Sequence, residues 1–228
     1  AHPGSDKVSL TGEVGTGKAV MRAASDSLKA VTLELGGKSP AVVSPDVPME
    51  DAAQRIAFGK ALNAGQTCVA PDYVLCPADR VQAFVDEYRH QFALMYPSLR
   101  DNEDYTAIIN ERQYDRLQGY LEDAREKGAE LIEINPANEN LKDGTRKMPI
   151  TLALKTTPDM KIMQDEIFGP ILPIISYGNL DEAIHYINDR PRPLALYFFG
   201  YDKSMQEHVV NQTHSGGMCI NDALMHVA

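Results

Sequence analysis

Short apolar runs rich in β-branched residues recur along this chain, and most are followed by a longer stretch with helical apolar spacing. Alternation of that kind allows few folds, because a strand that leads into a helix must return parallel to its neighbour. Strands are predicted at Lys7–Thr11, Ala30–Leu35, Ala41–Val43, Asp72–Cys76, Ala129–Ile134, Pro149–Leu154, Ile171–Tyr177, Leu194–Phe199 and Gly216–Asn221. Helices are predicted from the turn after Thr11 to about Leu28, from Pro48 to about Ala64, and over Asp79–Tyr96, Asn110–Lys127, Asp181–Asn188 and Asp202–Thr213. Asp159–Phe168 is mixed in pattern, and 135–147 reads as a polar loop. In the second helix Ala53, Ile56, Ala57, Lys60 and Ala61 form a mostly apolar stripe, and Gly65 is placed as its left-handed cap. The third carries Val81, Phe84, Val85, Tyr88, Phe92 and Met95 on one face, a core stripe. The fold class is α/β: an open, mostly parallel sheet with flanking helices.

A length of 228 residues suits one large domain, or a domain with a piece of another. The net charge of −10, with no cluster of Lys and Arg, argues against a nucleic-acid partner. Cys68, Cys76 and Cys219 are too few for a disulfide framework, fit no zinc spacing and suit a reducing compartment. No apolar run approaches the length of a membrane span, and no secretory signal stands at the start. A cytoplasmic protein without metal, membrane or nucleic acid is the expectation. The start, Ala1–Asp6, lacks Met, and Leu224–Ala228 carries no stop signal for its element, so the chain reads as an excised fragment.

Two stretches carry candidate chemistry. Gly12-Glu13-Val14-Gly15-Thr16-Gly17-Lys18-Ala19 follows a strand and opens a helix, a geometry that aims backbone N–H groups at phosphate. It nearly matches the P-loop pattern, but Ala19 lacks the hydroxyl that would ligate Mg²⁺. A P-loop-like nucleotide-binding protein using Gly12 to Lys18 is therefore an alternative reading, beside glycines serving tight packing alone. The second stretch, Gly65-Gln66-Thr67-Cys68-Val69-Ala70-Pro71, sets a cysteine in an uncharged loop after a helix. Cys76, within an apolar strand, reads as core. Upstream, Glu34 ends a strand that runs into Gly36-Gly37, at a carboxyl end where α/β proteins place chemistry. A thiol hydrolase with His214 and Asn221 or Asp222 is a weaker reading, and an inert structural module is the bland one.

Glu34-Leu35-Gly36-Gly37-Lys38-Ser39-Pro40, Gly65-Gln66-Thr67-Cys68 and Glu166-Ile167-Phe168-Gly169-Pro170 resemble three signature blocks of the NAD(P)-dependent aldehyde dehydrogenases, in that family's order. The resemblance runs over the whole chain. Asn63 to Tyr73 and Arg192 to Tyr197 resemble the class 3 branch, and within it the bacterial coniferyl aldehyde dehydrogenases. It implies a thiol-nucleophile catalytic domain at 37–228, preceded at 1–36 by the last part of a dinucleotide-binding domain. It implies Cys68 as nucleophile and Glu34 as base. Gly12, Gly17, Leu35, Glu166 and Phe168 would meet NAD or NADP, with Glu166 on the nicotinamide ribose and Phe168 beside the ring. An aromatic or medium-chain aldehyde is the implied substrate, and a homodimer or homotetramer the implied assembly. Glu13-Val14 departs from the family's Ser-Thr, and a carboxylate facing a pyrophosphate would repel it. The resemblance also places much of the cofactor site and an oxyanion-hole Asn upstream of Ala1, so the chain alone is expected to bind cofactor poorly and to be inactive.

Overall fold

The computed structural model describes residues 4–141 and 144–227. The extreme ends read above, and Lys142–Asp143 of the polar loop, lie outside the described residues. The chain divides into two compact units, Ala1–Gly37 and Lys38–Ala228.

The first unit is a βαβ element: β1 (Lys7–Thr11), α1 (Val14–Ser25) and β2 (Ala30–Glu34). The strands pair in parallel, from Lys7 opposite Ala30 to Thr11 opposite Glu34. Their exposure alternates residue by residue, as half-buried strands require. α1 ends at Ser25, short of the expected Leu28. Leu28 takes a left-handed φ of 51°, and Lys29 N–H donates back to Ala24 O at 3.1 Å, which closes the helix without a glycine.

The second unit runs β3 (Pro40–Val43), α2 (Met49–Ala61), β4 (Tyr73–Pro77), α3 (Val81–Met95), α4 (Glu111–Glu126), β5 (Glu130–Ile134) and β6 (Ile150–Leu154). It continues through α5 (Lys161–Gln164), β7 (Ile171–Tyr177), α6 (Leu180–Asn188), β8 (Ala195–Phe199), α7 (Lys203–Gln212) and β9 (Gly217–Ile220). Its seven-stranded sheet has the order β5-β6-β7-β4-β3-β8-β9. Only the β5–β6 pair is antiparallel among the described pairings of that sheet. The mostly parallel α/β sheet read from the sequence is what the chain forms.

Side-chain direction sorts the core into two layers. Ala41, Val43, Val74, Tyr197 and Phe199 point to one face, against Ile56 and Ala57 of α2 and Phe84, Tyr88 and Phe92 of α3. Val42, Tyr73, Leu75, Leu196 and Phe198 point to the other, against Ile184 and Ile187 of α6 and Val209 of α7. α4 covers the β6–β7 side of that second face with Leu117, Tyr120 and Leu121. Strands β3, β4 and β8 are buried along their whole length, so they read as unbroken apolar runs. Asn110, Asn179 and Asp202 cap α4, α6 and α7 through their side-chain oxygens.

Phe92 joins α3 to a ring cluster, 5.3 Å from Tyr96 and 6.0 Å from Tyr105 between centroids. Its side chain is wholly buried. Phe92→Ala is expected to cost about 3–5 kcal/mol, measured as a shift of the urea unfolding midpoint at unchanged slope.

Candidate active site

Sheet order decides which sequence blocks meet. β7, β4 and β3 are neighbours and run parallel, so the segments entering them emerge side by side. Those segments hold Lys38, the Gly65–Pro71 loop and Glu166–Pro170. The candidate chemistry of this unit therefore lies at the amino ends of its strands, unlike Glu34, which does end β2.

The Cys68 loop is clamped at both ends. α2 stops at Ala61, three residues before the predicted end, because Leu62 turns extended at ψ 125°. Asn63, Ala64 and Gly65 then all adopt left-handed φ, at 51°, 51° and 72°. Only the last is a glycine, so two residues with side chains carry strain here. The turn is held by Asn63 Nδ2 donating to Gln66 O at 3.1 Å and Gln66 Nε2 donating to Asn63 O at 3.0 Å. Gln66 also donates to Ala107 O at 3.1 Å and accepts from Ile109 N–H at 2.9 Å. On the far side Tyr197 Oη donates to Val69 O at 2.5 Å. Burial pushes that phenol above its ordinary range, so it stays a donor. Between the clamps Cys68 is half-buried and packs against the core.

The loop touches the Glu166 block backbone to backbone. A Cβ on Gly65 would stand 2.9 Å from the carbonyl carbon of Gly169, and one on Gly169 would meet Leu117. Gly65 permits that approach, and Gly169 makes room for the Leu117 side chain of α4. Ile167 is held from two sides: its N–H donates to Asp72 Oδ1 at 3.0 Å, and its carbonyl accepts from Arg116 at 2.6 Å. Its neighbours are thereby set. Glu166 is half-buried, and Phe168 is 42% exposed with a left-handed φ of 49°. Phe168 thus presents an exposed aromatic ring on strained backbone.

Lys38 and Asp72 form a buried pair at 2.5 Å. Lys38 Nζ also donates to Ile162 O at 2.7 Å and Asp165 O at 2.9 Å. No role for either side chain was read from the sequence, since their meeting depends on the adjacency of β3 and β4. Lys60 was read only as a break in an apolar stripe. It is fully buried, and burial lowers its amine to about 8. A charge inside such a stripe was the available signal.

In the first unit the glycine turn is not a phosphate loop. α1 begins at Val14, so Gly15, Gly17 and Lys18 are already helical. Gly12 N–H donates to Glu34 O at 2.9 Å, and Gly17 N–H to Glu13 O at 3.0 Å. Gly17 serves packing: a Cβ there would stand 2.6 Å from Leu35 Cδ2. Glu13 Oε1 accepts from Thr16 at 3.3 Å and occupies the start of the helix. The structure gives the P-loop reading no support, since Gly15, Gly17 and Lys18 are helical and the N–H groups of Gly12 and Gly17 are bonded within the chain. Glu34 is exposed at the end of β2.

The thiol hydrolase reading falls too. His214 is exposed ahead of β9, whereas Asn221 follows that strand, with both amide atoms bonded to Gly200. Among the described residues no group of three His, Cys, Asp or Glu could hold a metal, and no helix is long and apolar enough to cross a membrane.

The aldehyde dehydrogenase family model matches residues 1–228. The chain belongs to the aldehyde dehydrogenase family. A protein of Pseudomonas aeruginosa named a probable coniferyl aldehyde dehydrogenase is 60% identical over 98% of this chain. The coniferyl aldehyde dehydrogenase of Pseudomonas sp. strain HR199 is 51% identical over 97%. The chain spans 46% of either relative, about half its length. In substrate-bound Staphylococcus aureus AldH the superposition gives a TM-score of 0.90 at 41% identity, over 97% of this chain and 47% of that one. Betaine aldehyde dehydrogenase of the same species, in complex with NAD+, gives 0.88 at 27% identity, over 98% of this chain and 45% of that one.

Of the residues expected at an aldehyde dehydrogenase site, Cys68, Glu166 and Phe168 lie in the second unit, on segments that meet at Gly65 and Gly169. Glu34, Leu35, Gly12 and Gly17 belong to the first. The thiols differ sharply in setting. Cys76 is wholly buried and pushed up to about 12 by burial, and Cys219 is raised by burial and by Asp222. Alkylation near neutral pH is therefore expected to modify Cys68 first, Cys219 slowly and Cys76 only on unfolding. Peptide mass mapping over a time course reads the order, and equal sluggish labelling of all three would mean an inert module. Gly65→Ala should lower stability and Cys68 reactivity together, because the loop must leave Gly169.

Proposed function

We propose that the complete protein oxidises an aldehyde to its carboxylic acid with NAD or NADP, using Cys68 as nucleophile and Glu34 as base. The observation that carries this reading is the Cys68 loop, clamped at Gln66 and Val69 and packed on the Glu166–Gly169 backbone. Family membership supplies the reaction class. The first unit is assigned as the end of the dinucleotide-binding domain and the second as the catalytic domain.

The residues present fit the nicotinamide end of the cofactor. Glu166 offers a carboxylate to two ribose hydroxyls, and Phe168 an exposed ring to a flat heterocycle. The fit is poorer at the glycine turn, where the N–H groups of Gly12 and Gly17 are bonded within the chain and the Glu13 carboxylate stands beside the Thr16 hydroxyl at the start of the helix. Gly12 and Gly17 are therefore assigned to packing, with Leu35 as the wall they pack on.

The chemistry follows from the thiol. Cys68 loses its proton and its sulfur adds to the aldehyde carbon, giving a thiohemiacetal on the protein. When bound, the nicotinamide ring is the acceptor of the hydride released from that carbon. A thioester on Cys68 remains. Glu34 takes a proton from water, hydroxide adds to the thioester, and the acid leaves as the Cys68 sulfur is restored. The aromatic, coniferyl-type aldehyde is the proposed substrate because relatives at 60% and 51% identity carry that name.

In the complete protein, Cys68→Ser is expected to abolish aldehyde-dependent reduction of NAD or NADP. Glu34→Gln should slow turnover by about 10²–10⁴-fold and leave a thioester detectable on Cys68 by mass spectrometry. Absence of reduction with both aromatic and medium-chain aldehydes in the unmodified protein would overturn the reading.

A further inference from the structure

Tyr197 lies in β8, paired in parallel with Ala41 of β3 on one side and Cys219 of β9 on the other. Ladder bonds on both sides fix its backbone. Its side chain is wholly buried, and the His226 ring stands edge-on to it at 5.6 Å between centroids. Packing alone would be served by phenylalanine, as at Phe199 in the same layer. What the hydroxyl adds is a bond into the Cys68 loop, where Oη donates to Val69 O at 2.5 Å. That carbonyl belongs to the Val69–Ala70 peptide. The N–H of the same peptide donates to Thr67 O at 3.1 Å and closes a turn with Cys68 and Val69 at its centre. One peptide plane is therefore held at both polar ends, by the sheet through Tyr197 and by the loop through Thr67. Cys68 is the second residue of that turn, so the direction of its side chain follows from the turn's dihedrals. Val69 is itself buried, so its carbonyl has little water to turn to without the phenol.

We propose that Tyr197 is a positioning residue for Cys68, whose hydroxyl aims the sulfur by fixing the Val69–Ala70 peptide and so sets the rate at which Cys68 attacks an electrophile. The proposal rests on the assignment of Cys68 as nucleophile. Attack needs the sulfur about 3–3.5 Å from the reacting carbon and aligned with it, and a displacement of about 1 Å can cost on the order of 10²-fold. Tyr197 supplies the alignment from the least adjustable part of the fold, a buried ring on a central strand. The Glu166–Phe168 segment is held separately, by Asp72 and Arg116 at Ile167. Loss of the hydroxyl should therefore slow attack and leave nucleotide affinity alone. A general loosening of the core has the opposite signature, because Cys219 faces Tyr197 in the ladder and would become more reactive.

The test compares the complete protein with its Tyr197→Phe variant, which deletes one oxygen and keeps the ring. Alkylation with iodoacetamide, followed by peptide mass mapping, reads Cys68 and Cys219 in the same sample. Cys68 should react about 10–100-fold more slowly in the variant, with Cys219 unchanged. Steady-state kinetics should show kcat/KM for the aldehyde lowered by a similar factor, with KM for the nucleotide unchanged. A Cys68 rate equal to the parent's, or a faster Cys219 in the variant, overturns the proposal. Ile187→Val, on the opposite face of the sheet, weakens packing alone. Its Cys68 should react at the parent rate, and a loss matching that of Tyr197→Phe would reduce Tyr197 to a structural role. Hydrogen exchange in the parent reads the turn even if Tyr197→Phe does not fold: Ala70 N–H should be protected, and exchange at the rate of an open loop overturns the proposal. If the parent reduces no nucleotide with any aldehyde, the nucleophile assignment fails. Alkylation then decides the positioning: slower Cys68 in Tyr197→Phe alone retains it, and any other pattern removes it.

Discussion

The Lys38–Asp72 pair is the contact on which the rest of the candidate site depends. Lys38 enters β3 and Asp72 enters β4, while Ile162, Asp165 and Ile167 precede β7. One ammonium and one carboxylate, 2.5 Å apart, tie the three entries together. Asp72 is almost wholly buried, so removing either partner would strand a charge, typically at about 3–5 kcal/mol. Side chains hold the geometry here because strand entries lie beyond the ladder bonds that fix the sheet itself.

That position explains how the Cys68 loop and the Glu166–Phe168 segment can share one rigid frame. Loops at strand ends are free to vary, yet they inherit the spacing of the strands beneath them. Cys68 rides on the entry to β4 and Glu166 on the entry to β7, and these strands pair directly in parallel. The distance between the two blocks is therefore a property of the sheet rather than of either loop. Gly65 then lets the backbones close the remaining gap.

Much of this was legible in the sequence, and the failures share a cause. β7 was read to the residue, since an apolar run bounded by Gly169-Pro170 and Gly178 has little else to become. Cys76 was read as core for the same reason. The end of α2 was misjudged because Ala64 carries no local sign of left-handed backbone, and Asn63 alone does not mark the stop. Contact with Gly169, more than a hundred positions away, goes with that conformation. The Gly12–Lys18 pattern suggested a phosphate loop, but glycine spacing cannot tell a free N–H from one bonded to Glu34 or Glu13. The partners of Lys38 and Asp72 were likewise invisible, because their pairing depends on strand order.

Strained backbone and a buried charge lie near the Gly65–Gly169 contact, although left-handed residues also occur elsewhere, at Leu28, Lys155 and Asn221 among others. Asn63, Ala64 and Phe168 hold left-handed backbone, Lys60 is a buried unpartnered ammonium, and Gly65 and Gly169 exclude side chains. Each is unfavourable taken alone, at about 1–3 kcal/mol for a strained residue. They persist because Asp72, Arg116, Gln66 and Tyr197 over-determine the backbone around them with bonds to Ile167, Ala107, Ile109 and Val69. The shape of the Cys68 loop is thus set by tertiary contacts that hold backbone its own residues would not adopt alone, rather than by local propensity.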